Sequence, residues 1–499
     1  MGLQFQSSTC RCLKAAARQV HNTELTQEVR LSDGMPDIGR ILTTWGQIVL
    51  RSKEWQGDLV AVSGGIMVWI LYAPEDGTPP RCLDAWVPFQ LKWDLEEKGS
   101  EGPIRVSPLL RFLDSRSISG RKVMVRAGVA AMGEALSPMQ VQICYPGELP
   151  EDIQLLRNTY PVRLPVEAGE KTFLLDEDLQ MPAGTVQPER LLAYTILPQI
   201  QEKRVAGDKV ILRGTGNLHV LYRCAEGKVH SAGLEIPIAQ YAQLEDTYGN
   251  DALSDVMMGV TSLELLLNEG AQLRIKCGLV AQYLITDRQL VDVTQDAYSP
   301  RREIGLQMEE LKLPTVLEQR TEAIQANLQL PGICGDVVDA NFLPDFPRQN
   351  RSGDQVVLDL TGQFQLLYYA PDGILQGTIG RWENSMKIAA DCDCVLHCMI
   401  HQPETVQTAS GQEELHMSSQ YRMEMCTQGQ AGIPMVASLE APQIEAPDPE
   451  RPSLILRRSN GESLWDMAKY YGSTVDDIRR INHLDEDAYE NRMLLIPLA

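Results

Sequence analysis

The sequence predicts a mainly β protein. Three tandem β-rich repeats, sandwich-like or barrel-like, precede a small strand–helix–helix–strand unit. Three observations carry this. The first is a recurring interval. Gly57-Asp58, Gly207-Asp208 and Gly353-Asp354 each stand 15 residues before a tyrosine, Tyr72, Tyr222 and Tyr368. The copies repeat at periods of 150 and 146 residues. Solenoid repeats have periods of ~20–50 residues, so this period describes domains. The second is alternation of apolar and polar residues inside the copies. The third is a change of pattern to helical spacing after residue 453.

Each copy reads in the same order. Met35-Pro36, Met181-Pro182 and Leu330-Pro331 open the units. The Gly-Asp pairs are turn chemistry, because Gly accepts positive φ and Asp caps its own turn. A long strand follows, ending in WILYAPEDG, HVLYRCAEG and QLLYYAPDG, where an acidic-Gly pair makes the next turn. Gly64-Gly65, Gly214, Gly216 and Gly362 interrupt that strand and predict a bulge or bend. Further on, Leu273, Ile275, Cys277, Leu279 and Ala281 alternate with Arg274 and Lys276, the period of a half-buried strand. Val123–Val129 is its counterpart 150 residues earlier, and Tyr421–Met425 lies near the matching offset in the third copy. Few helices are expected before residue 450.

The predicted boundaries are an N-terminal segment at 1–19, repeats at 20–150, 151–300 and 301–435, a linker at 436–452 and a last module at 453–499. The linker reads VASLEAPQIEAPDPERP, rich in Pro and Glu and without apolar periodicity. In the last module Leu454-Ile455-Leu456 predicts a strand and Ser463 an N-cap. Leu464, Met467, Ala468 and Tyr471 follow at helical spacing, with Gly472 closing the helix. Thr474 caps a second helix, with Asp477 three residues on. Its predicted apolar face is Val475, Ile478 and Ile481. Asn482 ends it, and Leu494-Leu495-Ile496-Pro497 is the last strand.

Composition narrows the function. The net charge is −22, from 45 basic and 67 acidic residues. That field repels phosphate backbones and anionic lipid, so nucleic acid is not an expected partner. No apolar run approaches the ~18–20 residues of a membrane span. The N-terminus lacks the pattern of a signal peptide. Eleven Cys is an odd number and a low density, which predicts reduced thiols in a cytoplasm. There is no G-x-S-x-G, no H-E-x-x-H, no phosphate loop ending in Gly-Lys-Ser/Thr and no C-x-x-C. No enzyme activity and no cofactor are expected.

One cluster competes as a metal site. Asp391-Cys392-Asp393-Cys394-Val395-Leu396-His397-Cys398-Met399-Ile400-His401 holds three Cys and two His. Thiolate and imidazole suit zinc. On a strand, however, the three Cys face one way and the two His the other, which splits the donors. No metal is expected. Cys10-Arg11-Cys12 lies in what reads as a mobile terminus and is a weaker candidate.

Gly461-Glu462-Ser463-Leu464-Trp465-Asp466-Met467-Ala468, Tyr471-Gly472, Asn482 and Leu494-Leu495-Ile496-Pro497 together resemble a LysM domain. The family often has Gly where this chain has Asn491, and Asn also adopts αL. The resemblance implies a groove for N-acetylglucosamine-containing glycan. It would lie between Gly461, Glu462, Ser463, Leu464 and Trp465 on one side and Asn482, His483, Leu484 and Asp485 on the other. For Trp465, core packing competes with a place in the groove.

Pro36-Asp37-Ile38-Gly39-Arg40-Ile41-Leu42, Gly57-Asp58, Ile70-Leu71-Tyr72 and Trp86-Val87-Pro88-Phe89 resemble the SPOCS repeat. The second copy keeps Pro188-Glu189-Arg190-Leu191-Leu192 and Glu235-Ile236-Pro237. The third diverges, with Asp339-Ala340-Asn341 near the place of the Ile-Leu block. Three SPOCS repeats before a LysM domain is similar to the SipL family of clostridial spore coat morphogenetic proteins. The resemblance implies a mother-cell cytoplasmic protein that helps localise coat around the forespore. It also implies docking through the LysM domain onto the coat-basement ATPase SpoIVA. Two function classes therefore stand: a non-enzymatic coat assembly scaffold, and a protein binding peptidoglycan or chitin-type glycan.

Overall fold

The structure, a computed structural model, describes residues 5–95, 101–353, 355–389, 395–403, 405–411, 414–442, 453–484, 489 and 492–498. The chain is mainly β, as its alternation predicts. The first unit holds β1 (Phe5–Arg30), β2 (Ile38–Gln56), β3 (Leu59–Pro74), β4 (Arg81–Asp94), β5 (Ile104–Ser119) and β6 (Lys122–Pro146). They form two antiparallel sheets, ordered β1-β6-β5 and β2-β3-β4. One apolar cluster lies between them, with Val62, Ile66, Ile70, Leu91, Leu113 and Val129 fully buried.

The next strands are β7 (Gln154–Leu179), β8 (Arg190–Arg223), β9 (Val229–Tyr248), β10 (Leu253–Leu267) and β11 (Leu273–Tyr298), in sheets β10-β11-β7 and β8-β9. The long β8 folds back at Gly207, where φ is 63°. A Cβ on Gly214 would then stand 2.0 Å from the Gln199 carbonyl oxygen. The third set is β12 (Gly305–Pro331), β13 (Asp336–Pro344), β14 (Arg348–Ser352), β15 (Gln355–Tyr369), β16 (Leu375–Ala389), β17 (Val395–His401), β18 (Val406–Ser410) and β19 (Glu414–Glu440). Here β12-β19-β17 form one sheet, with β18 on β19, and β13-β15-β14 another, with β16 on β15.

The plan is the same each time. The first strand pairs with the last, and the middle strands build a second sheet. The three tyrosines sit buried on β3, β8 and β15, at 0%, 1% and 7% exposure. The turns around them need left-handed backbone: Gly57, Gly207 and Gly353 have φ of 64°, 63° and 59°, and Gly77, Gly227 and Gly373 have 75°, 82° and 79°. An L residue there is strained, which is why Gly recurs. Bulges repeat too. Ala16, Val166 and Leu317 are each skipped by the pairing of the unit's first strand. At Gly64-Gly65 the cause differs from the expected bulge. A Cβ on Gly65 would stand 2.1 Å from the Trp86 ring, and one on Gly64 2.7 Å from Phe89, while the skipped residue is Arg51 on the neighbouring strand.

Each unit keeps an apolar cluster built mostly from its own residues, and the units also share two clusters. Cys10, Cys12 and Ile143 pack in one cluster with Val162, Leu164, Val291 and Val293 and with Leu311, Leu313, Ile433 and Met435. Each unit thus contributes the far ends of its first and last strands. A second shared cluster joins Leu42, Trp45, Trp69 and Leu71 to Leu192, Leu221, Leu367 and Leu375. Here the Trp45 indole donates to Asp339 at 2.9 Å, and the same carboxylate meets His219 at 2.9 Å, one residue from each unit.

Charges are buried between units as well. Arg105, 1% exposed, donates to Glu134 at 2.6 Å and to Asp255 at 2.5 Å. Arg18 also binds Glu134. Lys203 lies 3.5 Å from Asp255 and 3.9 Å from Glu424, and Glu424 lies 3.1 Å from His401. Asp152 accepts from Arg302 at 2.8 Å, with both residues half-buried. Burial alone would raise the Asp255 and Asp152 carboxyls; the cations beside Asp255, and the Ser299 and Arg302 donors beside Asp152, hold both below the ordinary range.

Two boundaries are corrected. Residues 5–19 are part of the first unit, since β1 pairs with β6 from Phe5 and its alternation turns Cys10 and Cys12 inward. Residues 436–440 belong to β19, paired with β12 as far as Glu440 against Gly305, so the expected linker begins later. The last unit comprises β20 (Leu454–Arg458), α1 (Leu464–Tyr471), α2 (Val475–Asn482) and β21 (Met493–Pro497), with β20 and β21 antiparallel. No helix among the described residues is long and apolar enough to cross a membrane.

Removing one partner from a buried charge network leaves an uncompensated charge, at a cost of ~3–5 kcal/mol. Glu134→Gln removes the carboxylate that Arg18 binds and leaves Arg105 with Asp255 alone, and should lower the thermal midpoint and the denaturant midpoint together.

The acid and base limbs of stability follow from the ion pairs. The carboxyls of Asp152, Asp255, Asp339 and Glu424 are depressed in the folded state. Their contribution is therefore complete above the unfolded values of ~4 and is lost as pH falls through the lower folded ones. His219 is raised: burial opposes its charge and Asp339 outweighs burial. Its contribution is complete below the unfolded ~6.5 and is lost as pH rises through the folded value. Thermal midpoints should peak in the mildly acidic range, and His219→Gln should flatten the alkaline limb.

Candidate functional site

The C-terminal unit is built by its caps. Ser463 Oγ accepts from the Asp466 backbone N–H at 3.0 Å and starts α1. Gly472, at φ 64°, ends it. Thr474 Oγ1 accepts from the Asp477 N–H at 3.0 Å and starts α2, which closes on His483 at φ 50°. Leu464, Met467, Ala468 and Ile478 then meet Leu494 and Ile496 in a buried cluster. Val475 is half-buried, but Ile481 is 37% exposed and lies off the face assigned to it. Eight residues make only two turns, and Ile481 falls away from the axis through Ile478.

The residues of the expected groove divide between roles. Gly461 forms the turn at φ 85°, and Glu462 is exposed and pairs with Arg457 at 3.2 Å. Leu464 is core. Asn482 is fully occupied: its amide donates to Ile478 O at 2.8 Å and Leu495 O at 2.6 Å, and its oxygen accepts from Leu495 N–H at 2.8 Å. It joins α2 to β21. His483 is exposed, and Leu484 is half-buried against the core. Asp485 and Asn491 lie outside the described residues.

Trp465 packs half-buried against the module's core and does not stand free. Its indole N–H donates to Asp296 of β11 at 2.8 Å, and its ring meets Tyr298 edge-on at 4.8 Å. Lys469 binds the same carboxylate at 2.7 and 2.8 Å. Tyr298, 4% exposed, donates to Ser473 O at 3.0 Å. The module is thus seated on the end of β11 by one face of α1. Sequence reasoning missed this seat because Asp296 lies 169 residues from Trp465, and nothing local marks its role.

The candidate metal cluster is only partly described. Cys398 is buried in the core shared by the first and third units. His397 and His401 point to the opposite face of β17, and His401 meets Glu424. Asp391, Cys392, Asp393 and Cys394 lie outside the described residues. A cleft of about 450 Å³ opens between β5 and β16. Its Arg111, Arg116 and Arg126 are already set against Asp345 at 2.7 Å, Asp114 at 3.5 Å and Glu24 at 3.7 Å.

Residues 187–265 match the protein-family model described as SipL, SPOCS domain. The match runs through β8 and β9 into β10, which is the middle of the second unit. It makes the chain a carrier of a sporulation-associated domain. Neither the comparison with curated proteins nor that with solved structures gave a match.

A hydrogen bond to a charged group is worth ~1.5–3 kcal/mol. Asp296→Ala removes the acceptor of both Trp465 and Lys469. It should raise amide hydrogen exchange in α1 on the order of tenfold, with exchange in β1 and β6 unchanged.

Proposed function

We propose that this chain is a non-enzymatic assembly scaffold of the bacterial spore coat. It acts in the mother-cell cytoplasm at the forespore surface. In this reading its three β units are three SPOCS repeats and residues 453–499 are a LysM domain. That domain docks a spore coat morphogenetic ATPase of the SpoIVA type. The observation that carries the reading is the SipL SPOCS match at 187–265, inside a unit whose strand plan recurs on either side of it. The strand–helix–helix–strand order of the last unit, with the caps expected of a LysM domain, adds to it.

Protein rather than sugar is favoured as the ligand of the last unit by its hydrogen bonding. A hexosamine is held by free donors and acceptors in its groove. The Trp465 N–H is taken by Asp296, and both ends of the Asn482 amide are taken by backbone. Among the described groove residues the exposed polar side chains are Glu462, which pairs with Arg457, Ser463, which caps α1, and His483.

Co-purification with the ATPase tests this. The full chain should retain it, and a chain ending at residue 452 should not, while staying folded by circular dichroism. If the shortened chain holds the ATPase equally well and the full chain instead binds chitin oligosaccharides tightly, the glycan reading replaces this one.

A further inference from the structure

We propose that the outer edge of β16 pairs with the same edge of a second copy of this chain. The two strands run antiparallel about a two-fold axis at Trp382, so that Arg381 of each copy faces Glu383 of the other. The inference concerns the third unit and does not rest on the docking reading above.

Proline marks the place by its absence. In each unit the strand after the tyrosine strand lies at the edge of its sheet, as β4, β9 and β16. Seven residues before the buried tyrosines stand Gly65, Thr215 and Thr361. Gly65 pairs with Pro88 and Thr215 with Pro237. Thr361 pairs with Glu383. Proline has no N–H, so within a sheet it sits where that N–H would point off the edge. There it also keeps a passing strand from pairing. Two units thus carry a block at one register position, and the third has an N–H in its place.

The direction of that N–H follows from the ladder. Ile374 O accepts from the Ala370 N–H at 3.0 Å, across the turn that joins β15 to β16. The next carbonyl, Leu375 O, points away from β15 and accepts from Arg40 at 2.8 Å. The pairing of β15 with β16 then runs to Ala389 without a bulge. Successive residues alternate, so Ile379, Arg381, Glu383 and Ser385 turn both backbone groups outward. Among the described residues β16 pairs with β15 alone. Glu383, Asn384 and Ser385 are exposed in succession, which opens both faces of the strand. An edge left in this state is a template for another strand.

The charges choose the partner. Arg381 and Glu383 are exposed on one face, two residues apart. With Trp382 on the axis, Arg381 faces Glu383 twice and Ile379 faces Ser385 twice, and each pair exchanges its outward backbone bonds. A slip of two residues sets Glu383 against Glu383 in one direction and Arg381 against Arg381 in the other, and like charges directly opposite are unfavourable. The register is therefore specified by the two side chains. The net charge of −22 repels copies in general, but Ile379–Ser385 holds one acid and one base and is neutral. Ile379, Arg381 and Glu383 also line the cleft between β5 and β16, so the face that carries the paired charges has open space beside it. Arg111, Arg116 and Arg126 of that cleft already have carboxylates, whereas Arg381 has none among the described residues.

Sedimentation of the full chain over a range of concentrations reads the association, and a concentration-dependent dimer is expected. Glu383→Pro installs the residue of the other two units. Arg381→Glu sets Glu against Glu at both pairs. Each should weaken the dimer on the order of tenfold, with the circular dichroism spectrum unchanged. Arg381→Glu combined with Glu383→Arg restores opposite charges and should recover the dimer. A chain that stays monomeric at every concentration overturns the proposal, whether or not it takes up a strand from another protein. So does a dimer that neither single variant weakens, or a double variant no tighter than Arg381→Glu alone. If Glu383→Pro misfolds, the charge exchange decides.

Discussion

The buried charges between the three β units constrain everything else in the structure. Arg105 is held by Glu134 from its own unit and by Asp255 from the next. Lys203 continues the chain of contacts from Asp255 to Glu424 in the third unit. Such groups tolerate burial only with partners in place. The relative position of the units is therefore fixed by a requirement for compensation. Apolar clusters would accept a shifted neighbour at modest cost; an arginine at 1% exposure would not.

The shared apolar clusters then follow. Once the charges set the orientation, the same strand ends of each unit converge, and the apolar residues of β1, β7 and β12 cover one another. The C-terminal module is attached to this frame through Asp296 and Tyr298, near the end of β11. The module is thereby held at a defined place against the second β unit. The long connection between residues 442 and 453 does not have to set that place.

What the sequence discloses, and what it hides, divides by range. The recurrence of Gly57, Gly207 and Gly353 is legible because a positive φ is a local demand that only Gly meets without strain. The caps Ser463 and Thr474 are legible for the same reason, since donor and acceptor lie three residues apart. The long strands could be read from alternation. The inter-unit contacts could not. Cys10 and Cys12 look like a weak metal candidate in a mobile terminus until strands from two other units close over them. Trp465 looks like core or groove until Asp296, far away in sequence, takes its N–H. Of the candidate groove, the residues with local backbone roles were readable. Those whose partners come from β11 were not, because no periodicity encodes a tertiary partner.

The convergence of strand ends also bears on how the chain is made. Cys12 in the first unit is covered by Met435 near the end of the third. Ribosomes add ~5–20 residues per second. Roughly 15–60 s then separates the appearance of the first unit's last strand from that of its final cover. Through that interval the nascent chain presents the tips of its long hairpins as bare apolar surface. Contacts of such long sequence separation are slow to form. Synthesis of this protein thus has a built-in period of stickiness, in which chaperone capture and mispairing with a neighbouring nascent copy compete with completion of the fold.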